Sequence, residues 1–331
     1  MLLFLCPLLF CSCTGEKTAK EDFFSMDTYM SLECIGNDAE KAVAACKHEI
    51  ERLDTLFSPT YLSSDIYSIN HRYGNTVSVN SETVELLYCA KAVSKATQGV
   101  FDITIRPLVE LWGFETDSPS VPAAEKIQSC LPLKGESSIT AAGNYVFINN
   151  GVSVDVGGIA KGYCSDRLKE ILDTFNLQGG VFSLGGNILA YKTKQDGSPW
   201  NVAVMDPLDG SSYAGILKAE NSFVVTSGSY QRCFEENGKV YHHILDPKTG
   251  YPADSGLLSV TVVSENGTYA DALSTAFFVL GYDGSKNVFY SLKDDMRPEG
   301  AIFITKEKTI YILGDIDFTS HGDYRCIEET F

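Results

Sequence analysis

Val154-Asp155-Val156-Gly157-Gly158-Ile159-Ala160-Lys161-Gly162-Tyr163 is the stretch from which the organisation of this chain is read. It predicts a short strand over residues 152–156, a Gly-Gly turn and then a helix, whose apolar residues recur at helical spacing. Such a turn presents free backbone N–H groups, which can bind phosphate or a phosphate-bound metal. The simpler alternative is a tight turn in which glycine supplies only positive φ. Because Asp155 and Lys161 flank the turn, we favour a binding site.

The composition restricts the class of protein. The chain has 331 residues, of which 44% are hydrophobic and 21% charged, as in soluble globular proteins of one large or two closely packed domains. Its 26 Lys and Arg against 43 Asp and Glu give a net charge of −17, which argues against nucleic acid or an anionic membrane surface as the main partner. A phosphate ligand would therefore need a divalent cation or helix N-termini nearby.

The start of the chain predicts export. Residues 1–13 are apolar but too few to span a bilayer as a helix, so they fit the hydrophobic part of a secretory signal. Phe10-Cys11-Ser12-Cys13 is similar to a lipoprotein signal-peptidase site, which predicts that Cys13 is lipidated and anchors the chain to a membrane, facing the periplasm or cell exterior. An ordinary cleaved signal or a mis-called start is the alternative. Residues 14–22 read as a polar linker.

The remaining cysteines give no metal motif. None of the seven lies in a Cys-x-x-Cys pair, which argues against a zinc site. Some could form disulfides in an oxidising compartment, and the sequence does not select the pairs. They are Cys34, Cys46, Cys89, Cys130, Cys164, Cys233 and Cys326.

The order of elements predicts an α+β fold with mixed or antiparallel sheets and packed helices. Strands and helices are mixed rather than strictly alternating, which argues against a doubly wound sheet. Helices are predicted at 38–57, at 81–97 with Ser81 as N-cap, after the Gly-Gly turn, and at 269–280. Strands are predicted at 23–35, 145–148, 152–156, 180–191, 200–205, 222–226, 257–263 and in a hairpin at 300–314.

Two further segments carry candidate ligand-binding or catalytic side chains. Trp112-Gly113-Phe114 could stack on a flat hydrophobic ligand, or could simply fill the core. His242 and His243 precede Asp-Pro-Lys-Thr-Gly, which is a turn by its own chemistry. Neighbours on a strand point to opposite faces, so only one of the two histidines can face a given site, and a purely structural histidine is the alternative.

Asp271 and Thr275 form a candidate half-site for a hard cation. They lie four residues apart on a predicted helix, so their oxygen atoms share one face. Mg²⁺ prefers oxygen ligands. The alternatives are that Asp271 is the N-cap of its helix and that Thr275 bonds the carbonyl four residues earlier.

Seven motifs in one order resemble the ApbE family of FAD:protein FMN transferases over almost the whole chain after the leader. The motifs are Met-x-Thr, Asp-x-Thr with Pro-Leu-Val-x-Leu-Trp-Gly-Phe, Asp-x-Gly-Gly-Ile-Ala-Lys-Gly, Leu-Gly-Gly-Asn, Thr-Ser-Gly-x-Tyr, His-Ile-x-Asp-Pro-x-Thr-Gly and Ala-Asp-Ala-Leu-Ser-Thr. They begin at Met26, Asp102, Asp155, Leu184, Thr226, His243 and Ala270. The resemblance implies one ApbE-like, T-fold-like domain over 23–331.

The resemblance also implies where FAD and Mg²⁺ bind. The flavin would lie against three segments, represented by Met26, by Thr60 and Tyr61, and by Trp112, Gly113 and Phe114. Other parts of FAD would contact Asp155, Lys161 and Leu245. Mg²⁺ would bind Asp271, Thr275 and a backbone carbonyl of the corner, that of Gly158 or alternatively that of Ala160.

The implied reaction transfers FMN from FAD to a Thr or Ser hydroxyl of a target redox protein, releasing AMP, with His243 as general base. The target would be a flavin-bearing subunit of a sodium-pumping or electron-transport complex. The alternatives are an FAD pyrophosphatase that gives FMN and AMP, and an FAD-binding lipoprotein without turnover. Two departures from the family pattern motivate the last alternative: Asp27 replaces the usual glycine of Met-Gly-Thr, and where relatives often carry Tyr or Asn this chain has Thr60 followed by Tyr61, with a register that is ambiguous by one residue.

Overall fold

The computed structural model describes residues 17–72, 74–131 and 135–329. The predicted signal segment 1–13 and Cys13 lie outside these residues, so their roles stay predictions. Within the described ranges, no helix is both long and apolar enough to cross a membrane.

Strands and α-helices contribute about equally to the regular structure of the described residues. In chain order they are β1 (Thr18–Ser25), β2 (Thr28–Gly36), β3 (Thr76–Ser78), β4 (Ile139–Ala142), β5 (Tyr145–Ile148), β6 (Leu177–Leu184), β7 (Asn187–Lys192), β8 (Trp200–Met205), β9 (Tyr213–Ala219), β10 (Ser222–Gly228), β11 (Cys233–Glu236), β12 (Lys239–His242), β13 (Leu257–Ser264), β14 (Gly300–Thr305), β15 (Thr309–Gly314), β16 (Phe318–Ser320) and β17 (Arg325–Glu329).

The α-helices are fewer than the strands in the described residues, and they range from 7 to 25 residues. They are α1 (Ala39–Phe57), α2 (Asp65–His71), α3 (Ser81–Ala96), α4 (Arg106–Trp112), α5 (Ala124–Cys130), α6 (Ala160–Leu172) and α7 (Gly267–Ser291). The predicted helix at 81–97 is confirmed, but its N-cap is Asn80 rather than Ser81. The predicted helix at 269–280 is part of the longer α7, which bends at Gly281, where φ is +72°.

A nine-stranded sheet organises the fold. Its strand order is β1-β2-β6-β7-β10-β13-β14-β15-β17, and every pairing is antiparallel except β15 with β17. Helices α1, α6 and α7 pack on one face, through a core that includes Phe182 and Phe223. The small sheet β16-β9-β8 covers part of the other face, through residues such as Val224 and Ile302. The α+β prediction with antiparallel sheets is confirmed.

The predicted single strand at 23–35 is wrong, because the chain turns back within it. β1 and β2 form a hairpin in which Ser25 pairs with Thr28, leaving Met26 and Asp27 as a two-residue loop. Both loop residues have positive φ, +47° and +55°, as the right-handed twist of hairpins requires. The predicted linker 14–22 overlaps β1, which already begins at Thr18.

Candidate active site

The corner at residues 154–163 is positioned by side-chain and loop hydrogen bonds rather than by a β-strand. The prediction of a strand over 152–156 is wrong, since these residues lie in no ladder. Instead, the Asn70 amide accepts a hydrogen bond from Val154 N (2.7 Å) and donates one to Val154 O (2.9 Å). The N–H of Asp155 donates to Ile103 O at 2.7 Å. A side chain therefore supplies the pairing that a neighbouring strand would supply, and it fixes the approach to the Gly-Gly turn.

The two glycines of the turn serve close packing rather than positive φ. Neither Gly157 nor Gly158 has a positive φ, so the simpler alternative of the sequence analysis is wrong. The N–H of Gly157 donates to Asp155 Oδ1 at 2.9 Å. A β-carbon added at Gly158 would lie 3.5 Å from Thr275 Oγ1, so the corner reaches α7 at this residue.

Helices α6 and α7 cross at two glycines. A β-carbon on Gly162 would lie only 2.2 Å from Gly267 O, so the backbones approach more closely than any side chain would permit. The N–H of Gly162 donates to Asp271 Oδ2 at 2.8 Å. Asp166 of α6 accepts hydrogen bonds from Gly267 N (2.7 Å) and Thr268 N (2.8 Å) at the first turn of α7. The corner and the Asp271 helix are thereby locked together.

We expect Gly162→Ala to separate α6 from α7. The new methyl group collides with backbone, which cannot rotate away as a flexible side chain can, and overpacking of this kind costs about 1–3 kcal/mol. The free energy of unfolding, measured in urea, should fall by that amount. Gly210→Ala is the matched control, because a β-carbon there meets nothing within 4 Å. Equal stability of the two variants would contradict the close crossing.

Asp271 is a buried carboxylate inside α7. The N-cap of α7 is Asn266, so the alternative that Asp271 is only a cap is wrong. Burial raises the pKa of Asp271, while the charge of Lys161 and hydrogen bonds from the backbone of Gly162 and Lys161 oppose that rise. A carboxylate kept away from water in this way is stabilised when a cation binds it.

The oxygen atoms around Asp271 fit a hard cation. Thr275 lies on the same face of α7, and its Oγ1 lies 3.3 Å from Ser227 Oγ. In the part of the chain that the structure describes, no group of three or more His, Cys, Asp or Glu could hold a metal. A cation here would therefore combine the Asp271 carboxylate with neutral oxygens of Thr275 and of the corner backbone, a donor set that suits Mg²⁺.

The two histidines differ in environment, but the predicted strand holds only His242, the last residue of β12, and His243 lies just beyond it. His242 is buried, with Nε2 3.0 Å from Ala253 O and its ring edge-on to Phe278. His243 is half-buried and lies with Nδ1 3.3 Å from Arg232 O. Because a carbonyl only accepts, Nδ1 carries the proton in that contact, and Nε2 is left as the basic nitrogen.

Burial and nearby positive charges keep the His243 imidazole neutral. Burial, Arg232, His242 and Lys161 lower the pKa of His243 to about 4. Lys161 also acts on the pKa of Asp271, so its ammonium lies within electrostatic range of both groups. Its Nζ donates to Gly157 O at 3.2 Å. Lys161 and Asp271 therefore contact the corner through Gly157 O and Gly162 N, and the charge of Lys161 also lowers the pKa of His243.

The hairpin loop and the turn after α1 are both held by residues at the C-terminal end of α1. Met26 N and Ser25 Oγ both donate to Asp54 Oδ2 of α1, at 3.0 and 2.8 Å. Ser58 Oγ accepts hydrogen bonds from the backbone of Thr60 (3.1 Å) and Tyr61 (3.2 Å), which gives a tight turn with both side chains exposed. Met26, Thr60 and Tyr61 are thus presented from two segments that α1 joins.

Trp112 and Leu245 are core residues in this structure. Trp112 is fully buried, its Nε1 donates to Gly250 O at 2.8 Å, and Phe114 stacks on it with ring centroids 5.8 Å apart. Leu245 lies in the same apolar cluster. Trp112 therefore fills the core, which is the second of the two alternatives that the sequence left open. Gly113 is the C-cap of α4 and has φ +69°, a left-handed conformation that favours glycine at the end of a helix.

Sequence reasoning missed Arg106 and Glu115. Arg106 is buried, and its Nη1 donates to Glu115 Oε2 (2.7 Å) and to Asp155 Oδ2 (3.0 Å). Its Nε donates to Glu110 Oε1 at 2.8 Å. The four-residue spacing of Arg106 and Glu110 was a readable signal for one of these ion pairs. The contact with Asp155 spans 49 residues and leaves no local pattern.

The described cysteines are free thiols. All seven cysteines that the structure describes are unpaired, so the possibility of disulfides is not realised. Three are buried, and burial raises the pKa of Cys34 to about 11.

Comparison with known proteins gives a consistent result. The model of the ApbE family matches residues 26–297. A protein of Klebsiella pneumoniae named FAD:protein FMN transferase is 34% identical over 268 residues, covering 80% of this chain and 82% of the relative. A protein of the same name from Treponema pallidum is 30% identical over 279 residues, covering 79% and 76%.

Solved structures agree. The crystal structure of the ApbE protein of Thermotoga maritima has a TM-score of 0.82 and 32% identity, covering 91% of this chain and 96% of that one. The flavinyl transferase ApbE of Pseudomonas stutzeri has a TM-score of 0.76 and 27% identity, covering 92% and 95%. The family match spans most of the sequence, and the fold agrees over nine-tenths of it. The chain therefore belongs to the ApbE family.

Proposed function

We propose that this chain is an FAD:protein FMN transferase that moves FMN from FAD to a Thr or Ser hydroxyl of a redox protein and releases AMP. The observation that carries the proposal is the meeting of the Gly-Gly corner with Asp271 and Thr275, next to Lys161 and His243. The names of the relatives at 30% identity or more supply the reaction class.

The corner is suited to the diphosphate of FAD. Lys161 supplies a positive charge at the first turn of α6, where backbone N–H groups also favour anions. Asp271, Thr275 and a backbone carbonyl of the corner would hold Mg²⁺. When bound, the cation would offset phosphate charge and make phosphorus more electrophilic. These two features answer the need for local positive charge in a chain with a net charge of −17.

His243 is assigned the proton transfer. The acceptor hydroxyl oxygen attacks the phosphorus of the FMN half, the bond from that phosphorus to the bridging oxygen breaks, and AMP leaves with that oxygen. Nε2 of His243 takes the hydroxyl proton. Its pKa of about 4 in the free protein means that the base is unprotonated at neutral pH.

One experiment separates this function from the alternatives. The purified protein is incubated with FAD, Mg²⁺ and a redox subunit prepared without its covalent flavin, and the products are followed by mass spectrometry and nucleotide chromatography. We expect an FMN adduct on a Thr or Ser of the subunit together with AMP. Free FMN and AMP without an adduct would identify a pyrophosphatase. Bound FAD with no AMP would identify a flavin-binding protein without turnover.

We further propose that the protein acts as an exported lipoprotein anchored at Cys13. The support is the apolar run 1–13 and its Phe-Cys-Ser-Cys end. Labelling with a fatty-acid analogue in cells should mark the wild type and not Cys13→Ser. Label on the Cys13→Ser variant would refute the assignment.

A further inference from the structure

One buried guanidinium joins two parts of the proposed FAD site. Arg106 lies at the first residue of α4 with 9% of its side chain exposed, and it forms ion pairs with Glu110, Glu115 and Asp155. Asp155 belongs to the Gly-Gly corner. Glu115 directly follows Trp112-Gly113-Phe114. The side chain therefore ties the corner to the segment that the family resemblance places beside the flavin.

The contact to Asp155 is the least solvent-screened of the three. The Asp155 side chain is 16% exposed, against 33% for Glu115 and 61% for Glu110. Ion pairs shielded from water are stronger than those at the surface, so the pair with Asp155 is the one that matters most for geometry. Burial lowers the pKa of Arg106, but the charges of Asp155 and Glu115 outweigh it and the pKa is raised. The guanidinium stays charged.

Arg106 leaves the Asp155 carboxylate little freedom. Oδ2 accepts from Arg106 Nη1 at 3.0 Å, while Oδ1 accepts from Gly157 N at 2.9 Å. With both oxygens engaged, the carboxylate plane is fixed relative to the turn. The same Nη1 donates to Glu115 Oε2 at 2.7 Å, so the two carboxylates share one nitrogen and repel each other if it is removed.

We propose that Arg106 is a positioning residue for FAD: it acts through Asp155 and Glu115 to hold the corner and residues 113–114, beside the buried Trp112, in the arrangement that binds the nucleotide. This inference rests on the proposed function. The planar fork of arginine is needed, because Nε and Nη1 serve different carboxylates at the same time. A lysine could keep the charge but would reach only part of this set.

Arg52 offers a matched control for a purely structural arginine. It bonds Glu49 through Nε and Nη2, and Glu82 through Nη1 and Nη2, at 2.7–2.8 Å. These contacts join α1 to α3 and include none of the residues proposed to contact FAD. Arg52→Lys therefore removes a comparable carboxylate-bound fork at a different place in the fold.

The test measures FAD affinity by quenching of flavin fluorescence, in the presence of Mg²⁺, for the wild type, Arg106→Lys, Arg52→Lys, Asp155→Asn and the double variant Arg106→Lys/Asp155→Asn. We expect Arg106→Lys to raise the Kd for FAD about tenfold, the loss typical of one charged hydrogen bond. Arg52→Lys should change the Kd less than about twofold while lowering the Tm. The double variant should bind like Asp155→Asn alone, because residues that act as a unit are not additive.

Several outcomes would overturn the inference. An unchanged Kd in Arg106→Lys, or losses that simply add in the double variant, would show that Arg106 does not act through Asp155. If Arg106→Lys does not fold, Glu115→Gln weakens the contact of Arg106 with the more exposed carboxylate, Glu115. This variant should raise the Kd for FAD about threefold. An unchanged Kd in Glu115→Gln would equally refute the inference. A wild-type protein that binds no FAD would instead refute the proposed function, and this inference with it.

Discussion

Asp271→Asn is expected to lower FMN transfer by at least about a thousandfold and to remove its dependence on Mg²⁺. Asp271 is the charged member of the proposed ligand set, and a neutral amide cannot replace a carboxylate on a cation that supplies several kcal/mol of charge stabilisation. The asparagine keeps the size of the side chain, and its amide oxygen can still accept the hydrogen bond from Gly162 N. Activity should therefore fall without loss of the fold.

The measurement is the initial transfer rate as a function of Mg²⁺ concentration, together with the Tm with and without the ion. Without Mg²⁺, we expect the Tm of Asp271→Asn to equal or exceed that of the wild type, because a neutral group is easier to bury than a carboxylate whose pKa burial raises. Added Mg²⁺ should raise the Tm of the wild type only. An Asp271→Asn enzyme that retains the Mg²⁺ response would refute the metal assignment.

Asp65→Asn serves as a control for the loss of a buried carboxylate elsewhere. Asp65 Oδ2 accepts hydrogen bonds from Asn80 N (2.7 Å) and Thr83 Oγ1, and the residue is 9% exposed. This variant should lose stability while keeping its Mg²⁺ response. The contrast separates a ligand from a carboxylate that only organises a helix start.

Local chemistry explains which parts of the site could be predicted. Asp271 and Thr275 share a helix face, and Gly157-Gly158 lies between Asp155 and Lys161, so each half of the site was readable from spacing alone. That the halves meet was implied by the family resemblance. The structure shows why they meet: Gly162 and Gly267 let two backbones touch, which depends on a pair of residues 105 positions apart in the sequence.

Long-range side-chain contacts explain the errors. Residues 152–156 have the apolar pattern of a strand, but their partner is the amide of Asn70, 84 residues earlier, and not a ladder. The hairpin loop at Met26 and Asp27 contains no glycine or asparagine, so the usual signal for a two-residue turn was absent. Asp27 adopts positive φ where the family has glycine, so this departure leaves the turn itself intact.

His243→Ala is expected to lower the transfer rate by about a hundredfold to ten-thousandfold while the Kd for FAD changes less than about threefold. Positioned general bases contribute about that factor. Binding should persist because a histidine with a pKa of about 4 is neutral near pH 7 and offers the diphosphate no charge. Transfer at saturating FAD and acceptor, and FAD binding measured separately, give the two quantities.

His242→Ala is the matched control, because the neighbouring imidazole is buried, edge-on to Phe278 and with Nε2 3.0 Å from Ala253 O. It should lose stability through the cavity it leaves while the folded fraction still transfers FMN. Added imidazole should restore part of the rate to His243→Ala and none to His242→Ala, since only the former lacks a proton acceptor. Loss of FAD binding in step with transfer in His243→Ala would make this histidine structural.

The pH profile gives an independent reading of the same residue. The profile of kcat/KM reports the ionisations of the free enzyme, and the base must be unprotonated. Because burial and the cations Arg232 and Lys161 lower the pKa of His243 to about 4, kcat/KM of the wild type should stay level as the pH falls from 8 to about 5 and decline only below that. His243→Ala should lack the decline. A wild-type decline centred near the ordinary histidine pKa of about 6.5 would mean that the imidazole is more solvated than its contacts indicate.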